Sequence, residues 1–204
     1  MATIETMATS TFYASLSAGL VMFLLCPTRR LSPPLRGLLL AAVLALVTLP
    51  IGEFSFAVAW RGAAGDLSII TLCWLVCAAT DRIRPGSTPL ADDRQRLFAA
   101  AAIVAAAVFL YPAGMGLSQW DPYRLGYGFS LLGATLAVAV AAYYLRQQFT
   151  LLALAAALGG YALLALESRN LWDYLIDPAI AFYALAVLVR GASRKWRTGT
   201  AQHR

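Results

Sequence analysis

Residues 97–112 read LFAAAAIVAAAVFLYP, sixteen positions without a charged or amide side chain. At 1.5 Å per residue this run makes a helix about 24 Å long that is apolar on every face, a pattern suited to hydrocarbon rather than to one side of a water-soluble core. Six further, predominantly apolar runs flank it: Thr11 to Cys26, Leu38 to Ala59, Gly65 to Thr80, Leu125 to Leu145, Phe149 to Leu166 and Leu171 to Val189. The 204 residues are 60% hydrophobic and 13% charged, with a mean hydropathy of +0.69, too apolar for a water-soluble domain of this size. The expectation is an all-α, polytopic integral membrane bundle of about seven transmembrane helices, forming one transmembrane domain over residues 1–204. Several runs are near the lower limit for crossing roughly 30 Å of hydrocarbon. The third begins beside Asp66 and spans only if its ends lie in the interface or the bilayer thins around it.

Charge placement sets the expected direction. With the amino end outside, 13 of the 16 basic residues fall on the cytoplasmic side, as the positive-inside rule requires. The exterior then holds Glu5, Glu53, Asp66, Asp121, Glu167, Asp173 and Asp177 against only Arg61, Arg124 and Arg169. The net charge of +6 thus belongs to a cytoplasmic face that meets anionic lipid headgroups, and gives no reason to expect nucleic acid. The amino-terminal stretch lacks the basic n-region of a secretory signal, so the first segment is expected to remain as a helix. Cys26, Cys73 and Cys77 lie within or at the cytoplasmic ends of helices and read as inert core thiols. The only histidine, His203, is near the carboxyl end, which argues against haem and zinc. No internal repeat is evident, and residues 81–96 and 191–204 read as a cytoplasmic loop and tail. The alanine- and arginine-rich composition with a single lysine points to a GC-rich bacterium and a multi-pass protein of its inner membrane.

Function is therefore expected at the outer helix ends, where three stretches carry the polar residues: EFSFAVAWRGAAGD (53–66), SQWDPYR (118–124) and ESRNLWDYLIDP (167–178). Asp66, Asp121 and Asp177 read as caps of outward-facing helix N-termini, two of them followed by the proline that suits a first helical position. The tryptophans read first as an interfacial aromatic belt. Three acids and three arginines are left over. Glu53 would lie roughly 25 Å up its helix from Arg36, close to hydrocarbon and in need of a partner, with Pro50 and Gly52 bending the backbone nearby. Arg124 would sit in the first turn of the fifth helix, where the dipole disfavours a cation. If residues 170–178 are helical, Asn170, Asp173 and Asp177 share one face.

The bland alternative is a set of salt bridges closing an external lid. The functional reading is an outward, periplasm-facing site for binding or modifying a lipid or lipid-linked headgroup. In it Glu53, Asp173 and Glu167 are the candidate acid–base groups, and Arg61, Arg124, Arg169, Trp60, Trp120, Trp172 and Asn170 the candidate binding groups. A hard cation, Mg²⁺ or Ca²⁺, is the metal this carboxylate set would accept, although no metal ligand is assigned. A non-catalytic accessory subunit docking a larger envelope protein and a cation- or proton-coupled transporter component are the competing readings. Membrane lipids are the expected partners in all three.

Overall fold

Helix boundaries follow from a few breakers, and these decide which side chains reach the acidic end. The computed structural model describes residues 2–51, 54–86, 90–117 and 119–201. Helix α1 spans Ala2–Leu25 and α2 spans Pro33–Thr48, the latter opening with two prolines in its first turn, where a missing N–H costs nothing. The residue before a proline is pushed out of the helical region, and Leu49, ahead of Pro50, has ψ 131°. The expected second crossing, Leu38 to Ala59, therefore does not continue as one helix. Pro50–Ile51 (β1) pairs antiparallel with Phe54–Ser55 (β2) in a two-residue ribbon, and a separate short helix, α3, follows over Phe56–Ala64. Glu53 lies outside the described residues, so its expected place along an unbroken helix falls away with that helix.

Ser68 caps α4 (Ile69–Ile83), its hydroxyl accepting from the Thr71 N–H at 3.2 Å. Asp92 caps α5 (Asp93–Gly114), accepting from the Gln95 N–H at 2.7 Å. The outer parts of the proposed cytoplasmic loop, Asp81–Ile83 and Asp93–Arg96, are thus helical. Next comes a 3₁₀ turn, Pro122–Tyr127, and then α6 over Phe129–Tyr144. Gly128 has extended geometry between them, so Arg124 lies in the turn and not in the first turn of a fifth long helix. Helix α7 spans Gln148–Ala162, a single-turn α8 spans Trp172–Leu175, and α9 runs over Pro178–Ala201, well into the expected tail. Ile176 is extended, with φ −148° and ψ 140°. That break separates Asp173 from Asp177 and dissolves the single-face column expected of Asn170, Asp173 and Asp177.

Among the described residues the regular structure is all helical apart from the ribbon. α5 packs along α9, α1 against α2, α3 and α4, and α7 against α4, α5, α6 and α8. α5 and α6 do not form a packed pair, although α7 touches both. The main core gathers Trp74, Phe149, Leu154, Trp172, Tyr174 and Ile180, with Phe149 and Tyr183 set edge-on to Trp74 at centroid distances of 5.1 and 5.3 Å. Large apolar side chains nevertheless face outward along the helices, among them Val108, Leu152 and Phe182 at 67%, 69% and 75% exposure. Among the described residues α5 alone is long and apolar enough to cross a membrane by length and composition, whereas the sequence reading expects seven crossings. Thr11–Leu25, Pro33–Thr48, Phe129–Tyr144, Gln148–Ala162 and Pro178–Ser193 are shorter apolar helices.

The two ends of the bundle differ in charge. At one end Arg36 donates to the carbonyls of Arg82, Leu31 and Thr28 at 2.8, 2.9 and 3.1 Å, Arg82 donates to the Leu24 carbonyl, and Arg96 pairs with Asp81. At the other, Asp66 ahead of α4, Asp121 at the 3₁₀ turn, Asp173 in α8 and Asp177 ahead of α9 come together beside the end of α5.

Candidate acidic cavity

The three polar stretches, far apart in sequence, are tied into one cap by side chains that reach across. Arg61, on α3, donates to Asp66 at 2.9 and 3.2 Å and lies 2.8 Å from Glu167, joining the first stretch to the third. Hydrogen bonding to Asp66 first and Glu167 second raises the Arg61 pKa above its ordinary value. Asp177 joins the third stretch to the start of α4: its carboxylate accepts from the Ser68 N–H at 2.7 Å, from the Thr71 hydroxyl, and from the Ile180 N–H at 2.9 Å. It therefore caps α9 and anchors α4 at once, while Asp66, expected to cap α4, is engaged by Arg61 and leaves the cap to Ser68. Asp121 caps the 3₁₀ turn by accepting from the Tyr123 N–H at 3.0 Å.

Asn170 and Trp172 hold the second stretch to the third. Asn170 is fully buried. Its Nδ2 donates to the Tyr123 carbonyl and its Oδ1 accepts from the Trp172 N–H, both at 3.0 Å, while Trp172 Nε1 donates to the Pro122 carbonyl at 3.0 Å. Gly126 allows this approach, since a Cβ there would lie 1.7 Å from Asn170 Oδ1. Trp120 is exposed and sits edge-on to Phe109 at 5.3 Å. Trp60 is half-buried, and its Nε1 has no partner among the described residues.

Inside the cap is a cavity of about 470 Å³ lined by Asp66, Asp121, Asp173 and Asp177 with Tyr111, Tyr123 and Ser168. The Tyr123 hydroxyl donates to Asp173 at 2.8 Å, and the Ser168 hydroxyl donates to the same carboxylate. Desolvation, reinforced by that contact with Asp173, pushes the Tyr123 phenol well above its ordinary range. Tyr111 Oη is sealed from solvent with no partner among the described residues. Asp66 faces Arg61, but among the described residues Asp121, Asp173 and Asp177 have no ion pair. Among those residues no three His, Cys, Asp or Glu side chains converge closely enough to hold a metal ion; the carboxylates are spread around a volume that fits an organic group.

Of the remaining candidates, Glu167 is exposed and engaged by Arg61 at the rim. Arg124 and Arg169 are exposed and do not line the cavity. Sequence reasoning did not single out Ser68, Thr71, Ser168 or Tyr111 for this site. Tyr111 carried a signal only as an aromatic near a helix end, and the hydroxyls none, because Thr71 and Asp177 meet across 106 positions of chain.

Directly beneath lies a second cavity, of about 460 Å³, with an almost wholly apolar wall from α4, α5, α6, α7 and α8; Ile176 lines both. Its wall includes Trp74 and Thr150, whose Nε1 and Oγ1 are covered and have no partner among the described residues. Comparison of the chain with protein-family models, with curated proteins and with solved structures returned no match.

Proposed function

We propose that this chain is a seven-crossing bacterial inner-membrane protein, amino end outward, whose acidic outer cavity binds the head of a lipid or lipid-linked molecule. The observation that carries the reading is the wall of that cavity: four aspartates and the hydroxyl residues Tyr111, Tyr123 and Ser168, set among apolar residues such as Leu110 and Leu166, with Arg61 beside it committed to Asp66 and Glu167. Such a wall accepts hydrogen bonds and attracts cations, so the head it suits bears ammonium or hydroxyl donors. A head held by the candidate arginines, which would be anionic, has less support, since Arg124 and Arg169 do not line the cavity. Membrane placement draws on the outward-facing Val108, Leu152 and Phe182, a surface that water disfavours and hydrocarbon accepts, and on the opposition of basic and acidic ends. Helices of 15 or 16 residues, such as α4 and α6, cross if the bilayer thins around them or their ends reach the interface.

Binding of dodecylamine and dodecyl phosphate to the purified protein, measured by native mass spectrometry, tests this. Dodecylamine is expected to bind about tenfold more tightly or better, equivalent to about 1.4 kcal/mol. Asp121→Asn, which keeps its capping ability, and Asp173→Asn, which keeps the side-chain shape and an oxygen for the Tyr123 and Ser168 hydroxyls, are expected to erase most of that preference. Equal affinity for the two probes, or a preference untouched by either substitution, refutes a carboxylate-based head site.

A further inference from the structure

Resting on the headgroup reading above, we infer that the apolar cavity is the chain-binding half of the same site: it takes one hydrocarbon chain of an outer-leaflet amphiphile whose donor-bearing head occupies the acidic cavity. Three features carry this. The cavities adjoin, because Ile176, 5% exposed in the extended link between α8 and α9, lines both. The depth is suitable, because lining residues on α5 run from Phe109 beside the head cavity down to Ala99, about 15 Å at 1.5 Å per residue, or half of a hydrocarbon core roughly 30 Å thick. The chamber also has a side entrance. α5 and α6 do not form a packed pair, α7 closes the back, and the lining residues Ala105, Ala134 and Val138 are themselves exposed. A chain could thus enter sideways from the leaflet without its head leaving the interface.

The small residues make the room. Ala102, Ala105 and Ala106 on α5, Ala134 on α6 and Ala153 on α7 line the chamber where larger side chains would fill it. Trp172 and Leu175 roof it beside Ile176, and the roof is held because Trp172 Nε1 is bonded to the Pro122 carbonyl. The same tryptophan thereby connects the polar cap to the apolar wall.

The test uses the full chain in detergent with dodecylamine carrying a photoreactive diazirine at the chain end, and maps the labelled residues by mass spectrometry. Labelling is expected on the chamber wall, at Ala102, Ile103, Thr135 or Val138, with a drop of about fivefold or more in Ala106→Phe, by filling of the space. Ala102→Leu, a smaller intrusion on the same wall, is expected to reduce labelling less, and decides the matter if Ala106→Phe does not fold. Labelling confined to outward-facing residues such as Phe182 or Leu152, or undiminished in both filled variants, overturns the chain chamber. Equal wall labelling by dodecyl phosphate carrying the same diazirine means unselective filling by any chain and also overturns the joint site. Wall labelling by the amine that survives Asp173→Asn unchanged leaves the chamber standing and overturns the headgroup reading on which it rests.

Discussion

Replacing Asn170 with alanine should loosen the whole acidic cap, and the size of the effect follows from two hydrogen bonds. Asn170 is fully buried, and its amide satisfies the Tyr123 carbonyl and the Trp172 N–H, each at 3.0 Å. Truncation strands one acceptor and one donor, at about 1–3 kcal/mol for each buried group. The Tyr123 end is part-buried and can recover water, whereas Trp172 is 5% exposed and cannot. The sum should therefore be about 2–4 kcal/mol. Gly126→Ala attacks the same contact from the other side, since its new Cβ would lie 1.7 Å from Asn170 Oδ1 and 2.9 Å from Trp172 Cδ1; overpacking of this kind costs about 1–3 kcal/mol. In the double variant the obstructing amide is gone, so the second substitution should cost less than it does alone, with a coupling of at least about 1 kcal/mol. Equilibrium unfolding in detergent micelles, followed by tryptophan fluorescence, measures all four corners of this cycle. Losses that add to within about 0.5 kcal/mol would mean that the two sites act independently, and would refute the account of Gly126 as the seat of Asn170.

Thr150→Val removes a covered hydroxyl with no partner among the described residues and should raise stability by about 1 kcal/mol; an unchanged or lower melting temperature shows instead that the hydroxyl is engaged, as by a bound molecule. Tyr123, whose phenol is raised in the folded protein by desolvation and by Asp173, contributes stability below its unfolded pKa of about 10 that is lost as pH climbs toward its folded value. Tyr123→Phe should therefore flatten the decline of melting temperature above about pH 10, and an unaltered decline would show that the phenol titrates normally. Arg61→Ala should cost no more than about 1 kcal/mol and less in high salt, because its partners Asp66 and Glu167 are 21% and 60% exposed at the side chain and such pairs are weak. A salt-independent loss several times larger would make Arg61 a buried keystone rather than a rim clasp.

The helical character of the chain, the run at 97–112 and the opposition of basic and acidic ends are readable without coordinates, because they depend on local composition and on the sign of charges near each break. Asp121, ahead of Pro122, likewise announces its cap locally, whereas Ser55 and Asp92 cap helices that begin where an unbroken crossing and a loop are expected from sequence. The breaks within apolar runs were harder. Pro50 was visible, but whether it bends a helix or ends one depends on what the chain does next, and here a ribbon and α3 follow. The link at Ile176 was signalled only by Asp177-Pro178 reading as a helix start, which competed with a helix running through 170–178, and it is what turns Asp173 toward Tyr123 and Asp177 toward Ser68. Which acid meets which partner is a long-range matter: Asp177 and Thr71, like Asn170 and Tyr123, are neighbours only because α4, the 3₁₀ turn and α9 start at one end of the bundle. The two adjoining cavities were equally hidden. Residue type foretells what a surface prefers to touch, but an empty volume exists only where packed elements fail to fill it, as between α5 and α6, and that is settled by tertiary structure alone.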